Sequence, residues 1–273
     1  MSILTNTSSL GAQKNLQKTQ ASLSANFSKL SSGQRINTAA DDAAGLAISE
    51  KMKSNMRSMS QAERNANDGI SLLQTAEGAL NENTGIMTRM RELAMQSANG
   101  TLGADERGML NNEFAELSKE IDRIANTTEF NGTNLMAADT SFNFQVGIKK
   151  SADDTIKIDL KSQKTDGELA LSGLDISSES GATDALKTID DAITLTSKNR
   201  ATLGAAQNRL QVTVSNLQTA NTNLAAANSR IRDVDVAQES AAMTKNNVLS
   251  QAGIAVLSQA NQLPSMALSL LRG

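Results

Sequence analysis

Residues 249–270 read LSQAGIAVLSQANQLPSMALSL, and within this stretch an apolar side chain returns at every seventh position. The positions are Leu249, Val256, Leu263 and Leu270. The N-terminal segment repeats this spacing at Leu16, Leu23 and Leu30, which Phe27 joins. A seven-residue repeat winds an α-helix into a left-handed supercoil whose apolar seam needs a partner. Both ends of the chain therefore predict a protein that works by assembling.

The composition excludes most catalytic chemistry. The 273 residues contain no Cys, His, Trp or Tyr, and only 2% of them are aromatic. Thiol nucleophiles, histidine bases, disulfides and metal sites with nitrogen or sulfur ligands are therefore ruled out. We expect no enzyme activity, no catalytic residue, no cofactor and no metal. The net charge of −3, from 26 basic and 29 acidic residues, argues against a nucleic-acid partner.

A second heptad series predicts one long helix over residues 43–98. Its members are Met52, Met59, Ala66, Leu73, Leu80, Met87 and Ala94. Asp41 or Asp42 is placed to cap the start, because a carboxylate accepts hydrogen bonds from the free backbone N–H groups of a first turn. Asn99-Gly100 provides a stop.

A third series predicts that the chain doubles back along this helix. Its members are Ile189, Thr196, Leu203, Leu210, Leu217, Leu224 and Ile231, with Ala206, Thr213, Ala220 and Ala227 at the second seam position. Small residues beside leucine allow two helix backbones to approach closely. We therefore expect a mostly α fold: an elongated antiparallel helical bundle or coiled-coil rod, with a small β-hairpin region and terminal helices that pair in an assembly.

The residues between these long helices predict smaller elements. Leu110, Phe114, Leu117, Ile121 and Ile124 form one apolar face of a shorter helix. Residues 142–146 and 156–160 alternate as two strands of a hairpin. Residues 161–182 are rich in Ser, Gly, Asp and Glu, and they are expected to form a short variable loop or surface projection.

The terminal stripes are expected to need other copies of the chain. Each lies in a segment of roughly 40 residues, a length that seldom buries enough apolar surface to fold alone. We expect residues 1–40 and 234–273 to be largely disordered in the monomer and to become helical on assembly. The predicted assembly residues are Leu16, Leu23, Phe27, Leu30, Leu249, Val256, Leu263 and Leu270.

Several runs of sequence closely resemble bacterial flagellin. They are LSSG at 30–33, RIN at 35–37, DDAAGLAI at 41–48, NDGIS at 67–71, QTAEGAL at 74–80, RELA at 91–94, FNG at 130–132, SRIRDVD at 229–235 and QANQ at 259–262. The resemblance covers about the first 135 and the last 90 residues. It implies a filament subunit, a flagellin, whose terminal helices line an inner core and whose helical rod forms the wall.

With this resemblance, the chain divides into five segments. The N-terminal half of the inner-core domain is 1–42, the N-terminal part of the rod domain with its hairpin is 43–160, the variable loop is 161–182, the C-terminal rod helix is 183–230, and the C-terminal half of the inner core is 231–273.

The resemblance also implies a location and partners. The subunit is expected to be secreted by the flagellar type III export apparatus, since its N-terminus lacks the pattern of a cleaved signal peptide. It is expected to polymerise into an extracellular filament for swimming. The implied partners are other copies of the chain, an export chaperone at the C-terminus, and the filament cap and hook-associated proteins. No membrane insertion is expected.

A host partner is implied as well. Flagellin-like proteins are recognised by a Toll-like receptor of innate immunity, and the matching positions in this sequence are Arg89, Leu93 and Glu113.

Two alternatives remain open from the sequence. A hook-filament junction protein shares the helical ends but assembles in few copies. A secreted translocator that inserts into membranes could use the uncharged stretch 246–271, although Gln251, Gln259, Asn261, Gln262 and Pro264 make insertion costly.

Overall fold

The computed structural model describes the backbone of residues 5–272 and the side chains of residues 5–262. The helices are α1 (Thr7–Ser32), α2 (Ala43–Ser97), α3 (Ala104–Thr127), α4 (Glu179–Arg232) and α5 (Val236–Arg272), and the strands are β1 (Glu129–Phe130), β2 (Thr133–Asn134), β3 (Thr140–Gln145) and β4 (Thr155–Leu160). The prediction of a mostly α chain with a small hairpin region is confirmed. The chain divides into two compact units, Met1–Met56 with Thr222–Gly273 and Arg57–Asn221.

Helix α2 starts and ends where the sequence predicts. The Oδ1 atom of Asp42 accepts a hydrogen bond from the backbone N–H of Gly45 at 2.8 Å, so Asp42 is the capping residue. Asp41 instead holds the turn before the helix through the N–H groups of Asn37 and Thr38. Hydrogen bonds from Thr38, backbone first, lower the pKa of Asp41.

In the second unit, α4 runs antiparallel to α2. Polar contacts between the two helices follow one register: Arg91 with Asp190 (2.6 Å), Gln207 with Glu77 (3.0 Å) and Gln218 with Glu63 (2.7 Å). The seam residues Ile189, Thr196, Leu203 and Leu210 of α4 are buried. The predicted doubling back of the chain is therefore confirmed within this unit.

The predicted hairpin is formed by β3 and β4, which pair Phe142 with Ile158 and Phe144 with Ile156. Ile156, Ile158 and Leu160 are buried in a cluster with residues of α2 and α4. A second, smaller hairpin of β1 and β2 was not predicted. Its turn uses Asn131 and Gly132, both at positive φ (50° and 75°), as the mirror-image turns of tight hairpins require.

Residues 161–182 differ from the expected surface projection. They carry no helix or strand before Glu179, but Leu169, Leu171 and Ile176 are at most 1% exposed. Both carboxylate oxygens of Asp122 on α3 accept hydrogen bonds from Thr165, at 2.8 Å each. The apolar residues of this loop fill space beside α2, α3 and α4, and their irregular spacing hides them from a search for periodicity.

The interior of this unit contains two apolar clusters separated by polar residues. One cluster includes Leu80 and Leu203, and the other includes Met87 and Ala192. Between these positions in sequence, Asn83 and Thr196 are each 0% exposed. The Thr196 hydroxyl donates to Oε1 of the buried Gln163 at 3.3 Å, whereas Asn83 makes no side-chain hydrogen bond with any described residue.

Candidate assembly surface

The terminal helices α1 and α5 pack against each other within the first unit. Along α1 the less exposed positions follow the alternating three- and four-residue spacing of a heptad seam: Ser9, Ala12, Leu16, Thr19, Leu23, Asn26 and Leu30. Along α5 the same spacing runs through Met243, Asn246, Ser250, Gly253, Leu257 and Ala260. The two stripes meet as an antiparallel helix pair.

Two kinds of contact align this pair. Near the start of α1, Nδ2 of Asn6 donates to the backbone oxygen of Ala260 at 2.7 Å, and the hydroxyl of Ser9 donates to Oδ1 of Asn261 at 2.6 Å. Farther along, Cδ1 of Leu16 lies 3.4 Å from the point where a β-carbon on Gly253 would sit. Gly253 of α5 therefore makes room for Leu16 of α1.

The other end of the pair is closed by a backbone junction. Gly33 ends α1 in the left-handed region (φ 69°), where glycine carries no steric penalty. Its carbonyl accepts from the N–H of Val234 at 3.1 Å, and the N–H of Arg35 donates to the carbonyl of Arg232 at 2.6 Å. These bonds hold the end of α1 beside the segment that leads into α5.

Arg232 reinforces this junction through its side chain. Its Nε donates to Oε1 of Gln34 at 2.9 Å, and its Nη1 contacts Oε1 of Glu50 at 2.5 Å. The Arg232 side chain is only 15% exposed, so these contacts are partly shielded from water. A guanidinium can serve two partners because its donors form a fixed planar fork.

The structure divides the predicted assembly residues into two groups. Leu16, Leu23 and Leu30 are half-buried on the seam of α1. Phe27, Leu249 and Val256 point outward and are 57%, 47% and 58% exposed. Leu263 and Leu270 lie outside the described side chains.

The heptad stripe predicted on α5 is therefore not its seam with α1. Leu249 and Val256 each precede a seam position, Ser250 and Leu257, by one residue. The apolar stripe and the seam differ because the seam of α5 contains Asn246, Ser250 and Gly253. The large apolar side chains are left on the flank.

Further apolar residues of the same unit are exposed, and sequence reasoning did not single out three of them, Leu10, Val236 and Val248. Leu10, Val236, Val248 and Ile254 are each between 54% and 60% exposed. Scattered surface apolar residues are ordinary, but their concentration on the two terminal helices is typical of an interaction surface. Assigning the seam first and then asking which apolar residues fall outside it would have found Leu10, Val236 and Val248.

The residues matched to the receptor site occupy different environments. Arg89 forms salt bridges with Glu92 at 3.0 Å and with Glu113 of α3 at 2.9 Å, and these hydrogen bonds, Glu92 first, raise the pKa of Arg89. Leu93 is 1% exposed and packs in the same apolar cluster as Phe114. In this conformation Leu93 is a core residue and offers no surface to a partner.

The described residues form neither a cluster suited to a metal ion nor a helix suited to a membrane. No three acidic side chains among them converge as a metal site would require. Within the same part of the chain, no helix combines the length and apolarity needed to cross a bilayer.

Comparison with known proteins gives consistent matches. The family descriptions "Bacterial flagellin N-terminal helical region" and "Bacterial flagellin C-terminal helical region" match residues 3–141 and 186–271. Flagellin of Halalkalibacterium halodurans is 49% identical over 245 residues, 89% of this chain and 90% of that protein. The flagellar filament 33 kDa core protein of Treponema phagedenis is 44% identical and covers 98% of both chains. The crystal structure of Bacillus cereus flagellin, 34% identical with a TM-score of 0.48, covers 60% of this chain and 94% of its own.

Proposed function

This chain belongs to the bacterial flagellin family and is a structural filament subunit, not an enzyme. From that premise we propose that it is secreted and polymerises into the extracellular filament that drives bacterial swimming. A hook-filament junction protein and a membrane-inserting translocator are not favoured, because the relatives that match most of the chain are flagellins and a filament core protein. The physical question is how the subunit joins its neighbours.

The proposed assembly surface is the outer side of the terminal helix pair. The observation that carries it is the exposure of Phe27, Leu249 and Val256 after α1 and α5 have paired. Burying one such side chain contributes about 1.5–3 kcal/mol. Neighbouring subunits that cover these flanks supply the apolar contacts that the two-helix pair does not provide by itself.

The proposed mechanism couples folding to this burial. Four of the six seam residues of α5 are small or polar, so the pair alone gains limited apolar burial to offset the entropy of ordering two long segments. We expect the termini to be mostly disordered in dilute solution and to become helical when neighbours surround them. An unfolded terminus also suits passage through a narrow export channel.

The decisive experiment places a charge on the outer flank of α5. Val256→Asp should prevent polymerisation of purified subunits onto filament seeds, because an unpaired carboxylate would be buried at the contact. Gln251→Asp, at an exposed polar position that follows the seam residue Ser250 and therefore lies on the opposite flank of the same helix, is the matched control and should still polymerise. Normal filaments from Val256→Asp, seen by electron microscopy and sedimentation, would remove this surface from the proposal.

The remaining partners follow from family membership. We infer that an export chaperone covers the apolar flank of α5 before secretion, and that cap and hook-associated proteins contact the subunit at the filament ends. Exposed apolar residues such as Val248 and Ile254 support a chaperone contact. Co-purification with the chaperone should be lost in a Val248→Asp, Ile254→Asp variant and kept in Gln259→Asp.

Recognition by a Toll-like receptor is proposed through Arg89 and Glu113, which form one exposed ion pair on α2 and α3. Leu93 is buried and would act only by supporting this surface. A receptor reporter assay on Arg89→Ala and Glu113→Ala monomers should show reduced signalling with unchanged helicity. Full signalling by both variants would exclude this site.

A further inference from the structure

Asn26 is an exception on the seam of α1. It is the only buried residue of α1, with 8% exposure, although it is polar. It lies between Leu23 and Leu30, where a coiled coil ordinarily places an apolar side chain. A buried amide is tolerated only where its hydrogen bonds are satisfied.

The neighbours of Asn26 satisfy its amide completely. In the amide orientation that suits them, Nδ2 donates to Oε1 of Glu239 at 3.0 Å and to the backbone oxygen of Ser22 at 2.9 Å. Oδ1 accepts from the backbone N–H of Met243 at 3.1 Å and from Nδ2 of Asn246 at 3.2 Å. Three of these four bonds cross to α5, and together they use both donors and both lone pairs of the amide.

The leucines of the seam cannot define the alignment of the pair by themselves. Leu16, Leu23 and Leu30 are seven residues apart, and so are the small residues Gly253 and Ala260. A slip by one heptad in one direction would place Leu16 opposite Ala260 and Leu23 opposite Gly253, two small residues like the one that Leu16 already faces. The repeat that creates the seam therefore also makes neighbouring registers similar in energy.

Asn26 removes this degeneracy. A slip by seven residues in one direction would put Gly253, which has no side chain, where Asn246 now donates to the amide, although Asn246 itself would take the place of the acceptor Glu239. A slip in the other direction would carry Asn26 toward the start of α5 at Val236. In both directions Oδ1 of Asn26 loses the donor Asn246, because neither Gly253 nor Glu239 has a side-chain N–H, and an unpaired buried acceptor costs more than moving a leucine to another small residue.

We propose that Asn26 determines the register in which α1 pairs with α5, and thereby the geometry of the surface that the subunit presents to its neighbours. A one-heptad slip would move Leu249 and Val256 by about 10 Å relative to Phe27. The inference rests on the proposed function, because it concerns the helix pair inside the filament. The backbone junction at Gly33 and Val234 is the competing determinant of register.

Engineered cysteines can read the register directly, because the chain has no cysteine of its own. A β-carbon on Gly253 would lie 3.9 Å from Cβ of Leu16, which is suitable for a disulfide. The pair Leu16→Cys with Gly253→Cys reports the native register, and Leu16→Cys with Ala260→Cys reports a slip of one heptad. Each pair is placed in the full chain with Asn26 and with Asn26→Leu, polymerised, oxidised and analysed on non-reducing gels.

With Asn26 present, the native-register pair should cross-link within the chain, and the slipped pair should cross-link about tenfold less. Asn26→Leu should lower this ratio about tenfold, because leucine fits either register. If Asn26→Leu filaments still form only the native cross-link, the junction alone sets the register and the proposal is overturned.

Two further outcomes also decide the question. If Asn26→Leu does not polymerise, the comparison is repeated with Asn26→Ala. Failure of both variants to polymerise overturns the proposal, since a residue that only selects register is not needed for pairing. If filaments form with Asn26 but the native-register pair never cross-links, the proposal falls while filament formation, and with it the proposed function, stands.

Discussion

Gly69 of α2 and Phe144 of β3 lie so close that a β-carbon on Gly69 would sit 3.1 Å from Cδ1 of the phenylalanine ring. The same β-carbon would sit 3.2 Å from Cδ1 of Leu210 on α4. Gly69 therefore marks the point where the hairpin and α4 converge on α2. In contrast, a β-carbon on Gly78 of the same helix would have no neighbour within 4 Å.

This difference predicts opposite responses to alanine. Gly78→Ala should raise the free energy of unfolding by about 1 kcal/mol, because alanine has the higher helix propensity. Gly69→Ala should cancel that gain or reverse it by about 1–3 kcal/mol, because the ring and Leu210 must move. Urea unfolding followed by far-UV circular dichroism measures the stability of both variants. Equal stabilisation by Gly69→Ala and Gly78→Ala would show that the Phe144 ring and Leu210 move aside at no cost in free energy.

The buried amide of Asn83 predicts a stabilising substitution. Both of its amide atoms are buried without a hydrogen-bond partner among the described residues. Asn83→Leu, which is similar in size and apolar, should raise the free energy of unfolding by about 1–3 kcal/mol. Thr196→Val is the matched contrast: it removes the hydroxyl that donates to Gln163 and should destabilise. A loss of stability in Asn83→Leu would indicate that the amide is satisfied in solution.

The junction predicts a requirement for arginine at position 232. Arg232→Met keeps much of the side-chain length but removes the donors to Gln34 and Glu50, and it should destabilise the first unit by about 1–3 kcal/mol. Arg232→Lys should recover only part of this loss, since an ammonium lacks the planar fork. Arg230→Met, at an exposed position of the same helix, should be near neutral. Hydrogen exchange of α1 and α5 in filaments measures these effects: protection should be highest in the parent and in Arg230→Met, lower in Arg232→Lys and lowest in Arg232→Met.

Acid should weaken the attachment of the loop after β4. Asp139 accepts from the ammonium of Lys161 at 2.7 Å and from the N–H of Ser162 at 2.9 Å, and these bonds, Lys161 first, lower the pKa of its carboxyl. A carboxylate whose pKa is lowered by folding stabilises the fold above its unfolded pKa, and this contribution is lost as the pH falls. The Tm difference between the parent and Asp139→Asn should therefore be present at about pH 6 and shrink toward about pH 3.

The control for this titration is Asp166→Asn, an exposed aspartate in the same loop. Its Tm should follow that of the parent at every pH. A difference between the parent and Asp139→Asn that grows on acidification would contradict the assigned sign.

The long helices were predictable because their periodicity and burial coincide. In α2 the series through Ala66, Leu73, Leu80 and Met87 faces the core, so apolar spacing alone identifies both the helix and its inner face. The hairpin was predictable for a similar reason, since alternation placed Ile156 and Ile158 on one side. In these elements the apolar positions in the sequence are also the buried positions in the structure.

The seam of α5 with α1 was harder to predict than the outer stripe because two environments compete for the same helix. On α5, the face toward α1 uses Gly253 and Asn246, while Leu249 and Val256 face outward. A hydropathy pattern shows which positions are apolar but not which neighbour they face, so it identified the outward stripe of Leu249 and Val256 and not the face toward α1. The loop around Leu169 and Ile176 was misjudged for the opposite reason, because its buried residues follow no period.

The bond between Asn6 and the carbonyl of Ala260 has a practical consequence for protein engineering. It brings Asn6 and the later part of α5 to the same end of the helix pair, so a label attached at residue 6 would lie beside α5. Foreign sequence is better inserted between β3 and β4, where Lys149, Lys150 and Ser151 are exposed. A display scaffold made from this chain would carry its cargo internally and leave both ends unmodified.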